Sequence, residues 1–119
     1  MTDARRSLGI AGESAACAHL ERQGYQILAR NARADRVELD IVAERAGVIV
    51  FVEVKTRRTA EFGGAAETVD ARKQARLARG AAAWLSAHRR RTRSVRFDVI
   101  TCEADGDAPL RLTHWESAF

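Results

Sequence analysis

A chain of 119 residues has the size of one ordinary domain, able to bury roughly two thirds of the surface its unfolded form exposes. With 46% hydrophobic and 30% charged residues and a single proline, it is neither a disordered nor a fibrous sequence. The net charge of +4, with a sequence pI near 9.8, permits a polyanionic partner but does not require one.

In chain order, Ser7 can cap a helix running to about Gln23, with Gly24 as its terminator. Tyr25 to Arg30 reads as a short strand, followed by a polar stretch through Arg36. Val37 to Ala43 alternates, with Leu39, Ile41 and Ala43 on one face and Glu38, Asp40 and Val42 on the other. Glu44 to Gly47 supplies a tight turn, and Val48 to Thr56 is a β-branched run suited to a central strand. Arg57 to Glu67, with Gly63-Gly64, is a loop. Thr68 or Asp70 caps a second helix to about His88, with Leu77, Ala81 and Trp84 as its apolar stripe. The basic connector Arg89 to Arg93 leads to a strand from Val95 to Cys102. After a turn at Asp105-Gly106-Asp107 comes a last strand near Leu110 to Trp115. This αβββαββ order predicts one domain over residues 1–119, a mixed sheet with helices available to cover it.

Cys17 and Cys102 have neither CxxC spacing nor metal-site histidines, so both are expected as buried, reduced thiols. The apolar run Leu8 to Ala11 stops at Glu13, short of a signal peptide, and no segment has the roughly 20 apolar residues needed to span a bilayer. A cytoplasmic location is the expectation.

Chemistry concentrates in Phe51-Val52-Glu53-Val54-Lys55. The period of two puts Glu53 and Lys55 on one strand face, with Val50, Val52 and Val54 on the other. If the preceding hairpin turns about Ala46-Gly47, position 40 lies opposite 53, with Cβ atoms roughly 5 Å apart. A four-residue loop would instead pair 40 with 51, and either register leaves Asp40 on the Glu53 face. Two carboxylates converging on a sheet suit Mg²⁺ or Mn²⁺, hard cations that take carboxylates, water and phosphate oxygens, with the Val54 carbonyl as a further ligand. Lys55 would then orient water or stabilise developing charge. An acid and a lysine two apart on an exposed strand also suffice for a solvated ion pair worth about 0.2–1 kcal/mol. Asp40 argues beyond that pair, because Glu38, Asp40 and Glu53 would repel one another without a cation.

Both helices bear on the same place. Gly9, Ile10, Ala16, Cys17 and Leu20 fall on one side of the first, with Glu13 in the middle of that stripe, so Glu13 is a candidate outer ligand or water-positioning group. In the second, Lys73 lies on the inward stripe with Gln74 at its edge, near a helix N-terminus where either could reach the metal site or a bound phosphate, the alternative being that Lys73 snorkels at the rim of the sheet. Arg57 and Arg58 follow the proposed site directly and are candidates for phosphate contact. Of the twenty basic residues, eighteen are Arg and two, Lys55 and Lys73, are Lys, which marks places where a compact ammonium is wanted. His19, His88 and His114 are isolated in pattern and read as surface or structural.

Gly12-Glu13, Gln23-Gly24-Tyr25, Asn31, Glu38 to Val42, Phe51 to Arg57, Arg72-Lys73-Gln74, Arg96 to Ile100 and Ala118-Phe119 together resemble the functionally uncharacterised bacterial YraN-like family. The core of that family is similar to PD-(D/E)xK nucleases, archaeal Holliday-junction resolvases in particular. The resemblance implies an α/β, restriction-endonuclease-like mixed sheet flanked by helices. It matches Asp40, Glu53 and Lys55 to the D…ExK catalytic motif and Glu13 to the acidic residue on the first helix of resolvase-like members. Val37 stands where a glycine is usual, and Gln74 resembles the helix glutamine of related exonucleases but is followed by Ala78 rather than an aromatic. The implied activity is Mg²⁺- or Mn²⁺-dependent hydrolysis of DNA, branched or single-stranded, with a homodimer expected only by analogy with junction enzymes that need two sites. The alternatives are a nucleic-acid-binding module without turnover and a protein-docking subunit.

Overall fold

The computed structural model describes residues 3–59, 69–90 and 94–119. The expected Gly63-Gly64 loop, Thr68 and the connector residues Arg91 to Arg93 lie outside them. The elements are α1 (Asp3–Arg22), β1 (Gln26–Ala34), β2 (Val37–Arg45), β3 (Val48–Arg58), α2 (Ala71–Ala87), β4 (Val95–Ala104) and β5 (Arg111–Trp115). The five strands form one sheet in the order β1-β2-β3-β4-β5, with β3 and β4 parallel and the other neighbours antiparallel. α1 and α2 cover opposite faces, an architecture consistent with the restriction-endonuclease-like fold. Among the described residues no helix is long and apolar enough to cross a membrane.

Each face has its own core. On the α1 face, Ala16, Cys17 and Leu20 pack against Ile41, Ala43, Val50, Val52, Ile100 and Cys102. On the α2 face, Leu77, Ala81 and Trp84 pack against Leu39, Val42, Ile49, Phe51 and Val99, so the expected stripe of this helix is the buried one. Asp70 is its N-cap, accepting the Lys73 N–H at 2.8 Å. Both cysteines are buried and free, and burial pushes the Cys102 thiol up to about 11.

Three elements depart from expectation. α1 begins at Asp3, so Ser7 lies inside the helix rather than at its cap, and Ile10 is 59% exposed rather than part of the buried stripe. Few large apolar side chains fix the buried face of this Ala-rich helix. What seats it is Gly12, where a Cβ would lie 1.9 Å from Thr56 Oγ1, so only glycine lets the helix approach β3 so closely. β1 does not end at Arg30 but continues to Ala34 and turns through Asp35 and Arg36, both at positive φ.

The third departure concerns alternation in β2. Leu39 packs on the α2 face but Ile41 and Ala43 on the α1 face, so the period of two slips at Asp40. β1 slips beside it: Ala29 and Ala32, three apart, both pack on the α2 face, and Asn31 between them has φ 49°. An asparagine tolerates this left-handed backbone, and the pair of slips re-aims the side chain of Asp40.

Candidate metal and phosphate site

The β2–β3 hairpin closes on a two-residue turn, Ala46 and Gly47, with φ 52° and 80°. Its ladder runs from Arg45↔Val48 to Ile41↔Val52. This is the first of the two registers open to the sequence, and Asp40 and Glu53 are the residues next after its last pair. There the Val54 N–H donates to Asp40 Oδ2 at 2.9 Å, so the side chain of Asp40 bridges to β3. Asp40 and Glu53 border a cleft of about 790 Å³ with Arg5, Leu8, Gly9 and Glu13 from α1, Val54 to Arg57 from β3 and Lys73 from α2. The cleft therefore opens where β2 and β3 part, between the two helices.

Seven of the nine sequence-derived candidates, Glu13, Asp40, Glu53, Val54, Lys55, Arg57 and Lys73, meet in this cleft. Both lysines of an otherwise arginine-only basic complement are among them. Lys73 Nζ lies 2.6 Å from Glu53 Oε1, and the Glu53 side chain is only 11% exposed. Burial, then the charge of Glu53, push the Asp40 carboxyl up to about 7, with Glu13 and Glu38 adding to the rise and the Val54 N–H opposing it. Among the described residues no three His, Cys, Asp or Glu side chains form a metal cluster. A hard divalent ion needs no such cluster: two carboxylates, a carbonyl and water suffice, and an acid whose ionisation is resisted by a neighbouring acid fits that donor set.

Two candidates sit elsewhere. Arg58 borders a neighbouring cleft with Ala4, Ser7 and Asp105 rather than that of Asp40. Gln74 donates from Nε2 to the Val69 carbonyl at 2.7 Å, so its amide secures the start of α2 and borders neither acid-lined cleft.

Sequence reasoning also left the histidines isolated, whereas the fold joins two of them. His19 Nε2 lies 3.2 Å from His114 Nδ1, and His114 Nε2 lies 2.7 Å from Asp98 Oδ2. Asp98 is fully buried and also accepts from Arg96 at 2.8 and 2.9 Å and from the Ser117 N–H at 3.0 Å, while Arg96 donates to the Tyr25 hydroxyl. With Asp98 ionised, His114 Nε2 donates to it, and a neutral imidazole then accepts from His19 at Nδ1. The sequence separation of 95 residues between His19 and His114 hid this contact from any local pattern.

The model of an uncharacterised protein family, UPF0102, matches residues 12–102. A UPF0102 protein of Symbiobacterium thermophilum is 45% identical over 114 residues, 96% of this chain and 97% of its own. A second, from Frankia casuarinae, is 43% identical over 116 residues, 98% of each chain. A third, from Pseudomonas aeruginosa, is 44% identical over 123 residues, 100% of this chain and 98% of its own. Matched nearly end to end by these relatives, the chain belongs to the UPF0102, or YraN-like, family.

Proposed function

We propose that the chain is a divalent-metal-dependent nuclease-type hydrolase acting on DNA phosphodiester bonds. The observation that carries this reading is the meeting of Asp40 and Glu53 with both of the chain's lysines in one cleft. Asp40, Glu53 and the Val54 carbonyl are the groups that would hold Mg²⁺ or Mn²⁺. The bound ion supplies Lewis acidity toward phosphate and water. Glu13, across the cleft on α1, orients water through its carboxylate. Lys55 offers a compact positive charge to the oxygens that gain charge as the bond breaks. Arg57, at the cleft edge, holds a flanking phosphate.

Titration calorimetry with Mn²⁺ should give one site in the parent and none in Asp40→Asn. Incubation with linear, single-stranded, flapped and four-way DNA should give Mn²⁺-dependent cleavage by the parent alone. Equal Mn²⁺ binding by both proteins would remove the metal reading. The Lys73–Glu53 pair favours a second reading, because it already balances the charge of one acid. In that case the cleft binds nucleic acid without cutting it, and Mn²⁺ leaves every DNA intact.

A further inference from the structure

A second cleft of about 360 Å³ adjoins the first and shares Asp40, Glu53 and Lys73 as its wall. Its other side is lined by Arg33 from β1, Arg36 from the β1–β2 turn and Arg76 from α2, together with Glu38. The three arginines are exposed, and among the described residues none has an ion-pair partner. Arg76 follows Lys73 by three positions, so both project from the same side of α2. Gly80 of α2 sits so close to Val37 that an added Cβ would lie 2.8 Å from the Val37 side chain, and Arg79 pairs with Asp35 at 2.9 Å, so the turn bearing Arg36 lies beside the helix bearing Arg76.

On this side three arginines face one carboxylate, Glu38, which stands opposite Arg33 in the β1–β2 ladder, so positive charge is in excess there, and the guanidinium fork is shaped for phosphate oxygens. Arg5 and Arg57 lie in the first cleft, so cations flank the acid pair on two sides. An anion that reaches both sides must carry charges repeated along its length, as a nucleic-acid backbone does. We infer that Arg33, Arg36 and Arg76 form a second phosphate subsite, holding the backbone on the side of Asp40 and Glu53 opposite Arg5 and Arg57, so that one strand lies across the acid pair. The inference rests on the reading of the cleft proposed above and gives that cleft a path for its substrate.

The test is fluorescence anisotropy with a labelled single-stranded oligonucleotide in EDTA, in an Asp40→Asn background so that binding is read without cleavage. Against log salt concentration, the Arg33→Gln, Arg36→Gln, Arg76→Gln triple variant should lose roughly 2 from the slope of log affinity, at about 0.7 per contact on a single strand. A control triple of equal charge loss at exposed Arg22, Arg90 and Arg111 should keep the slope. An unchanged slope in the first triple, an equal loss in the control, or no binding by the Asp40→Asn protein would each overturn the inference. Should the first triple melt early, its three single variants decide, each expected to lose about 0.7. Absence of cleavage by the unsubstituted protein would sink the nuclease reading but leave this measurement intact.

Discussion

Glu53 faces a choice of cations. Its Oε1 atom lies 2.6 Å from Lys73 Nζ, while the carboxylate borders the same cleft as Asp40. A divalent ion between the two acids would compete with that ammonium. Lys73→Gln should therefore tighten Mn²⁺ binding by roughly 2–5-fold, the scale of a part-exposed ion pair, while weakening DNA binding; calorimetry and anisotropy read the two effects separately. Weaker Mn²⁺ binding in this variant would mean that Lys73 positions Glu53 rather than competing for it. For Lys55 the expectation differs, because an arginine there would keep the charge but displace water with its broader fork. Lys55→Arg should melt as the parent does and bind Mn²⁺ as tightly, yet cleave roughly 10²-fold more slowly in single turnover, the scale of one lost transition-state contact. Parent-like cleavage would remove Lys55 from the chemistry. The sequence points to Asp40, Glu53 and Lys55 because the alternation of β3 and a two-residue turn are local, although the alternation of β2 breaks at Asp40 itself. It could not assign Arg33, Arg36 and Arg76 to one cleft, since a strand, a turn and a distant helix meet only in the folded chain.

At the scale of elements, α1 is held by contacts that hydrophobic pattern does not report. Gly12→Ala would gain helix propensity of up to about 1 kcal/mol, but the added Cβ would meet Thr56 Oγ1 at 1.9 Å. A net loss of roughly 1–3 kcal/mol in thermal or denaturant melts is expected, partly recovered by adding Thr56→Ala. A parent-like melt would show that α1 is not seated on β3 through this contact. The other anchor is Asp98, which links β4 to β5 through His114, and through His19 to α1. Burial alone would raise its pKa, but bonds from His114, Arg96 and the Ser117 N–H together hold it below the usual carboxylate range. Asp98→Ala should cost roughly 3–5 kcal/mol in denaturant melts, because Arg96 Nε and His114 Nε2 lose their shared acceptor, which leaves Arg96 bonded to Tyr25 and His114 to His19. The order of elements was legible from turn residues and apolar runs. The slip at Asp40 was not, because it depends on paired irregularities in two strands, and in β1 the only local trace is Asn31.

For the whole molecule, the cleft imposes a pH dependence that separates it from the rest of the fold. In the unfolded chain Asp40 has an ordinary carboxyl pKa near 3.8, and in the folded chain it is pushed up to about 7 by burial and by Glu53. The folded state therefore binds the proton more tightly. This contribution to stability is fully present below the unfolded value and is lost as pH rises through about 7. The metal-free protein at pH 8 thus carries the full cost of the buried charge, as sites built for ligands commonly do. His19 acts in the opposite direction: burial, then His114 and Arg22, hold its pKa below 6.5, so its contribution is lost as pH falls below that value. A melting curve of the parent alone would mix the two. Asp40→Asn keeps an oxygen for the Val54 N–H, stays neutral at every pH and leaves His19 untouched, so the difference between variant and parent isolates Asp40. In EDTA the variant should melt well above the parent at pH 8, and the gap should shrink steadily toward pH 5. Adding Mn²⁺ at pH 8 should raise the melting temperature of the parent and leave the variant unmoved. A gap that does not change with pH would show that Asp40 is not buried beside an ionised Glu53. A gap that behaves as expected but does not respond to Mn²⁺ would leave the acid pair in place and remove the ion from it.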